Sequence, residues 1–251
     1  MYQKIKQYLA IATVVTIGAT APALADTVSY TSKSTGAGHG LTVTYTTPDP
    51  DKVVSAFVGQ IFLNGVTTDP VGGIAGIPSG TSSLLAWCID ILGILAPSGA
   101  YEAGVFSGTT GNMINALIVG GDGVAGATTG ANAGVGNFSN DEAAATQLAI
   151  WKVIYGRNTI SSSSGSLNTL ANTYYDAAAA SSGLFVADTS KYVLKLLDVP
   201  DTNAQQSLIT LLDAPTPPGG GNTDVPEPAT LALLSVGLIG LGAMRRRRAR
   251  A

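Results

Sequence analysis

The sequence predicts an α+β fold, mainly antiparallel β of sandwich or barrel-like form with two or three short helices, flanked by a signal peptide and a C-terminal membrane helix. Three observations predict it. Leu41-Thr42-Val43-Thr44-Tyr45-Thr46 alternates apolar and polar residues, the period of a half-buried strand. Ser139 and Glu142 stand at capping-box spacing ahead of an alanine-rich run, the signature of a helix start. Each end of the chain carries an apolar run beside positive charge.

At the front, Lys4 and Lys6 precede an apolar stretch from Leu9 to Ala19, and Ala23-Leu24-Ala25 is a small-residue cleavage site. Residues 1–25 therefore read as a signal peptide, handled by the Sec translocon and signal peptidase, with Asp26 the first mature residue. At the back, Val225-Pro226-Glu227-Pro228 leads into the uncharged run Ala229 to Met244, closed by Arg245, Arg246, Arg247, Arg248 and Arg250. An arginine cluster cannot follow an apolar helix through lipid, so it stops transfer and stays on the cytoplasmic side. As a helix the run reaches about 24 Å, short of the ~30 Å hydrocarbon core. Such a segment suits a temporary anchor in the inner membrane.

Those three tail elements, Pro226-Glu227-Pro228, a short apolar helix and the arginines, resemble the PEP-CTERM sorting signal of Gram-negative bacteria that make exopolysaccharide. The resemblance implies handling by an exosortase, a membrane cysteine protease that cuts near the tripeptide and releases or transfers the protein. It implies a cell-surface or extracellular destination in a biofilm matrix and nothing about the exported body, whose neutral-polar composition reads as a structural or adhesive component of the exopolysaccharide layer.

Between the ends lie a globular domain, residues 26–213, and a Pro/Gly linker, 214–224. All 16 acidic residues fall between Asp26 and Pro228 while seven of the 13 basic ones lie outside, leaving that part at about −10. Nucleic acid is thereby excluded as a partner. His39 is the one histidine and Cys88 the one cysteine, too few for a Cys/His metal centre or an intramolecular disulfide. His39, in Gly36-Ala37-Gly38-His39-Gly40, reads as a solvated loop residue. A secreted hydrolase would have to use carboxylates such as Asp90, Glu102, Asp141 and Glu142, which nothing pairs. No enzyme activity and no cofactor are expected.

Along the body, Pro48-Asp49-Pro50-Asp51 breaks the chain after the first strand region, and Val53 to Leu63 reads as one strand or a pair of strands ending at an Asn64-Gly65 turn. Leu84 to Ile91 is a buried strand holding Cys88. From Pro97 to Gly136 the chain is glycine-rich, with one helical candidate at Gly111 to Val119 and a surface loop from Asp122 to Gly136. Gly120-Gly121-Asp122-Gly123 reads as a plain turn, with a calcium turn the alternative. A helix starting at Ser139 or Asn140 ends at Gly156, Ser161 to Gly165 is a loop, and Leu167 to Ala180 is another helix. Lys191 to Val199 and Gln206 to Leu212 form a hairpin.

One constellation carries chemistry. On the helix wheel Ala144, Leu148, Trp151, Ile154 and Tyr155 make an apolar stripe, and Gln147 stands inside it. A buried amide left without partners costs on the order of 1–3 kcal/mol, so something must compensate it. Thr146-Gln147-Leu148-Ala149-Ile150-Trp151 resembles the TQxA(I/V)W motif of thioester domains in Gram-positive surface adhesins, and Trp87-Cys88-Ile89 resembles their aromatic-Cys-aliphatic motif. The resemblance implies that the Cys88 thiol condenses with the Gln147 amide and that the thioester acylates an amine on a surface ligand. Trp87, Thr146, Trp151 and Tyr155 would surround it. Without condensation, Gln147 would hydrogen-bond the backbone of a buried strand and Cys88 would pack as a small hydrophobe.

Overall fold

A computed structural model describes residues 26–46, 51–68, 77, 82–125, 138–198 and 206–214. The signal peptide, the Pro48 break, the Pro200–Asn203 turn, the linker beyond Ala214 and the whole sorting tail with its apolar segment lie outside the described residues. No helix among the described residues is long and apolar enough to cross a membrane. The described residues belong to one compact unit that ends at Ala214.

The elements run β1 (Asp26–Tyr30), β2 (Ser32–Tyr45), β3 (Lys52–Asn64), β4 (Thr67–Thr68), β5 (Ser83–Cys88), β6 (Gly99–Val105), α1 (Gly108–Ala125), α2 (Asn140–Tyr155), β7 (Ile160–Ser162), α3 (Gly165–Ala179), β8 (Tyr192–Asp198) and β9 (Leu208–Asp213). The nine strands form one open sheet in the order β4-β1-β6-β8-β9-β5-β3-β2-β7, antiparallel throughout. The three helices pack on one another; α2 also lies on β2 and β3, and α1 on β8. Trp87, Trp151, Tyr101, Leu63, Leu148 and Ile150 fill the core between them.

Local chemistry explains most boundaries. Ser139 caps α2 with a complete capping box, its hydroxyl accepting from the Glu142 N–H at 3.2 Å while the Glu142 carboxylate accepts from the Ser139 N–H at 2.8 Å. Gly156 ends the helix. The Ser164 hydroxyl accepts from the Leu167 N–H and starts α3. The β8–β9 hairpin pairs from Tyr192 with Asp213 to Leu197 with Leu208.

Four sequence expectations need correction. His39 is not in a loop; it lies within β2, paired with Val58 of β3. Gly120-Gly121-Asp122-Gly123 is neither turn nor calcium site, because α1 runs through it to Ala125. Glycine is tolerated there because neighbours occupy its place: a Cβ on Gly120 would lie 2.4 Å from the Phe185 ring, and one on Gly121 2.6 Å from the Thr146 hydroxyl. The glycine-rich stretch after Pro97 holds a strand, β6, pinned between β1 and β8 by ladder bonds that need no bulky side chains. Finally, Ser161 and Ser162 belong to β7, whose partner β2 lies far away in sequence.

One irregularity positions the site. The β2–β3 ladder shifts register between Thr35 and Gly38, where β2 carries one residue more than β3, a bulge. Gly38 and Gly59 face each other across it at φ +151° and +152°, and a Cβ on Gly59 would stand 2.3 Å from the Ala37 carbonyl oxygen. The bulge also docks α2: Asn140 Oδ1 accepts from the Gly38 N–H at 3.2 Å, and His39 Nε2 meets Asp141 Oδ1 at 2.7 Å. Gly59→Ala is therefore expected to cost about 2–4 kcal/mol, since strain and overlap both act. Gly40→Ala, with nothing within 4 Å of its Cβ, should stay within ~0.5 kcal/mol of wild type. Chemical unfolding of the two variants beside wild type checks the contrast.

Candidate functional site

Residues of an antiparallel strand present their N–H and C=O alternately to the neighbours on either side. In β5, Ala86 faces β3, paired with Ile61, while Trp87 and Cys88 register against Ile209 and Leu208 of β9, and the Ile89 N–H continues to the Ser207 carbonyl at 3.1 Å. Cys88 is thus the next residue whose polar groups turn toward β3, but the β3–β5 ladder stops at Ala86. Continued register would set Cys88 opposite Gly59 of β3, where no ladder pair forms. Both backbone groups of Cys88 would be buried orphans.

Gln147 of α2 supplies the missing partner. Its Oε1 accepts from the Cys88 N–H at 3.0 Å and its Nε2 donates to the Cys88 carbonyl at 2.7 Å, as a strand would. Gln147 is fully buried and Cys88 3% exposed. The sequence pair is therefore brought together, and the buried amide has both partners it requires.

The surround is partly as expected. The Tyr155 hydroxyl donates to the Ile89 carbonyl at 3.1 Å, which ties the end of α2 to the residue after Cys88. Trp87 is buried edge-on to Phe138, ring centroids 5.6 Å apart. Trp151, one turn beyond Gln147, is buried, and its indole N–H lacks a hydrogen-bond partner. Thr146 is buried too, but its hydroxyl faces Gly121 of α1 and is also unpartnered.

Cys88 forms part of the wall of a cleft of about 500 Å³ shaped by β2, β3 and the segment after β5. Lys33, Val54, Phe57, Leu95 and Gln206 are among the other lining residues, and Lys33 is the only charged one. Burial above all, then the charge of Asp90, pushes the Cys88 thiol well above its ordinary range, with Lys33 acting weakly the other way. The thiol therefore stays protonated and slow to oxidise. Gln206 closes one side: its Nε2 donates to the Asp90 carbonyl at 2.5 Å, and its own carbonyl accepts from the Tyr101 hydroxyl at 3.3 Å.

Lys33 and Gln206 escape a sequence reading. The signals available were faint: Lys33 is one of few cations in an acidic body, and Gln206 is polar beside the apolar β9. Asp90, Glu102, Asp141 and Glu142 do not converge. Asp90 Oδ1 accepts from the Leu92 N–H, Asp141 meets His39, and Glu142 serves the helix cap. No group of three or more His, Cys, Asp or Glu side chains that could hold a metal occurs among the described residues.

Residues 224–248 match the PEP-CTERM protein-sorting motif. No curated protein matches the chain. Among solved structures, the N-terminal thioester domain of a surface protein from Clostridium perfringens is similar at TM-score 0.35 and 14% identity, covering 74% of this chain and 97% of its own. The N-terminal domain of the Streptococcus pyogenes pilus tip adhesin Cpa is similar at TM-score 0.35 and 11% identity, covering 72% and 97%.

Replacing Gln147 by Met keeps the volume but strands the N–H and C=O of Cys88. The expected loss is about 2–4 kcal/mol, read as a lower urea midpoint at an unchanged slope. A pH dependence follows from the stacked Tyr30 and Tyr101, whose ring centroids lie 5.6 Å apart. Burial raises both phenols, and Tyr30 adds to the effect on Tyr101. A raised folded value means stability that is present below the ordinary tyrosine value of about 10 and lost as pH climbs past it. Buried Lys152 is lowered, chiefly by burial and then by Arg157, so its contribution rises with pH below about 10.4 and opposes the tyrosines. Tyr101→Phe is expected to flatten the decline above pH ~10 in a urea-midpoint titration, leaving the neutral-pH slope alone.

Proposed function

We propose that this chain is an exosortase-processed surface protein with an adhesive or structural role in the exopolysaccharide layer, and that its body holds an internal thioester between Cys88 and Gln147. The observation that carries the reading is the reciprocal pairing of the Gln147 amide with the Cys88 backbone, in a buried position, with Cys88 in the wall of a cleft. The tail motif supports export and surface destination.

Formation of the thioester balances simply. The Cys88 Sγ bonds to Gln147 Cδ, the Cδ–Nε2 bond breaks, and Nε2 leaves as ammonia with the thiol proton. The Cys88 N–H, already bonded to Oε1, is placed to stabilise the oxyanion of the tetrahedral intermediate. Burial excludes the water that would hydrolyse the product. An amine arriving through the cleft then bonds to Cδ, the Cδ–Sγ bond breaks, and the amine proton returns to sulfur. The ligand ends joined to Gln147 by an amide. One bond is made once per molecule, so the protein is an adhesin and not an enzyme.

The same contacts support a second reading. Gln147 satisfies both backbone groups of Cys88 without condensation, which suffices for a non-covalent matrix component. Intact mass separates the two. Freshly purified mature body is expected to be lighter by one ammonia, to gain methylamine on treatment, and to show neither change in Cys88→Ala. An unmodified mass with an alkylatable thiol selects the second reading. In cells lacking the exosortase, uncleaved chain should accumulate in the inner membrane fraction; unchanged release would refute the sorting assignment.

A further inference from the structure

Resting on the thioester reading, we propose that the cleft beside Cys88 selects as its acyl acceptor a primary amine that carries an anionic group a few bonds away, with Lys33 receiving the anion. The cleft, at about 500 Å³, has the size of a site for a small ligand or the end of a chain. Its wall is mostly apolar side chains and hydroxyls, including Ser34, Thr35 and Ser55. Against that neutral background a single ammonium sets the field.

Lys33 is poised for a ligand by what it does and does not touch. Its ammonium donates to the Leu95 carbonyl, which fixes it across the cleft, and makes no other hydrogen bond among the described residues. It has no carboxylate partner among the described residues, where the ion pairs are His39 with Asp141 and Arg157 with Asp176. Asp90 lies two residues beyond Cys88, outside the lining, with Oδ1 engaged by the Leu92 N–H. Asp90 therefore favours the amine end of a ligand on the Cys88 side, while the anionic end is drawn to Lys33. A ligand bearing both charges satisfies the two ends together. A second ammonium in place of the anion meets Lys33 and is disfavoured.

The acceptors that fit are amino-acid-like amines or amino sugars bearing an acidic substituent. Simple alkylamines fit the chemistry of acylation but not the charge of the cleft. Since Lys33 is exposed, its effect is moderate and falls with salt.

The test uses the purified mature body and three probes: methylamine, β-alanine and ethylenediamine. Adduct formation is followed by intact mass and by release of the free thiol. Wild type is expected to favour β-alanine over ethylenediamine by a ratio that drops roughly five- to tenfold in Lys33→Gln, with methylamine within about twofold of wild type. Lys33→Arg should keep the preference, and added salt should erode it in wild type and Lys33→Arg but not in Lys33→Gln. A ratio that is the same in wild type and Lys33→Gln, in protein that has lost its ammonia, overturns the proposal and leaves the thioester standing. Protein that never loses ammonia overturns both, and shows this before any amine is added.

Discussion

The organisation of this domain depends on a gap in a β-ladder and the side chain that fills it. Past Ala86 the strand partner on one side of β5 is missing, and the backbone of Cys88 would be left without hydrogen bonds inside the core. Each unmade bond there costs on the order of 1–3 kcal/mol. A glutamine reaching over from α2 takes the place of the strand, so sheet and helical layer are joined by a pair of polar contacts as well as by apolar packing. That arrangement fixes the rotation and height of α2 on the sheet more sharply than alanine packing could, because an amide must meet donor and acceptor in register.

The gap adjoins an irregularity. Two glycines of unusual φ hold β2 and β3 in close approach at a register shift, and the β3–β5 ladder ends two residues from Gly59. The irregular segment also receives the start of α2 through Asn140 and Asp141. One stretch of sheet therefore borders the slot and helps to set the helix whose side chain enters it. Lys152 works at the other end of the helix, donating to the carbonyls of Arg157 and Ile160 and tying the turn into β7. Held at both ends, α2 is buried at every residue from Ala143 to Lys152.

Much of this was legible in the residues, for physical reasons that can be named. The capping box at Ser139 is a local signal and located α2 to within a residue; the alternation of β2 and the apolar run of β5 are local too. Gln147 stood out because an amide on an apolar stripe demands a partner, and Cys88 because it is the only thiol. What the sequence hid is non-local. The role of Gly38 and Gly59 depends on their lying opposite each other across two strands, and His39 looks like a loop residue until Asp141 arrives from a distant helix. The strand β6 has glycine and alanine where side chains usually announce a strand, and α1 continues through glycines that its own propensity would reject. In both places tertiary packing overrides composition. The cleft could not be read at all, since its walls come from four separate stretches of chain.

The margins of the sheet bear on how copies of the domain meet one another. Its outermost strands, β4 and β7, are only two and three residues long, and the uncovered part of β2 is broken by the bulge and carries Lys33. Short, bent and charged borders give a neighbouring copy little template on which to extend the ladder. Copies of the domain can thus lie side by side at high concentration without growing into fibrils.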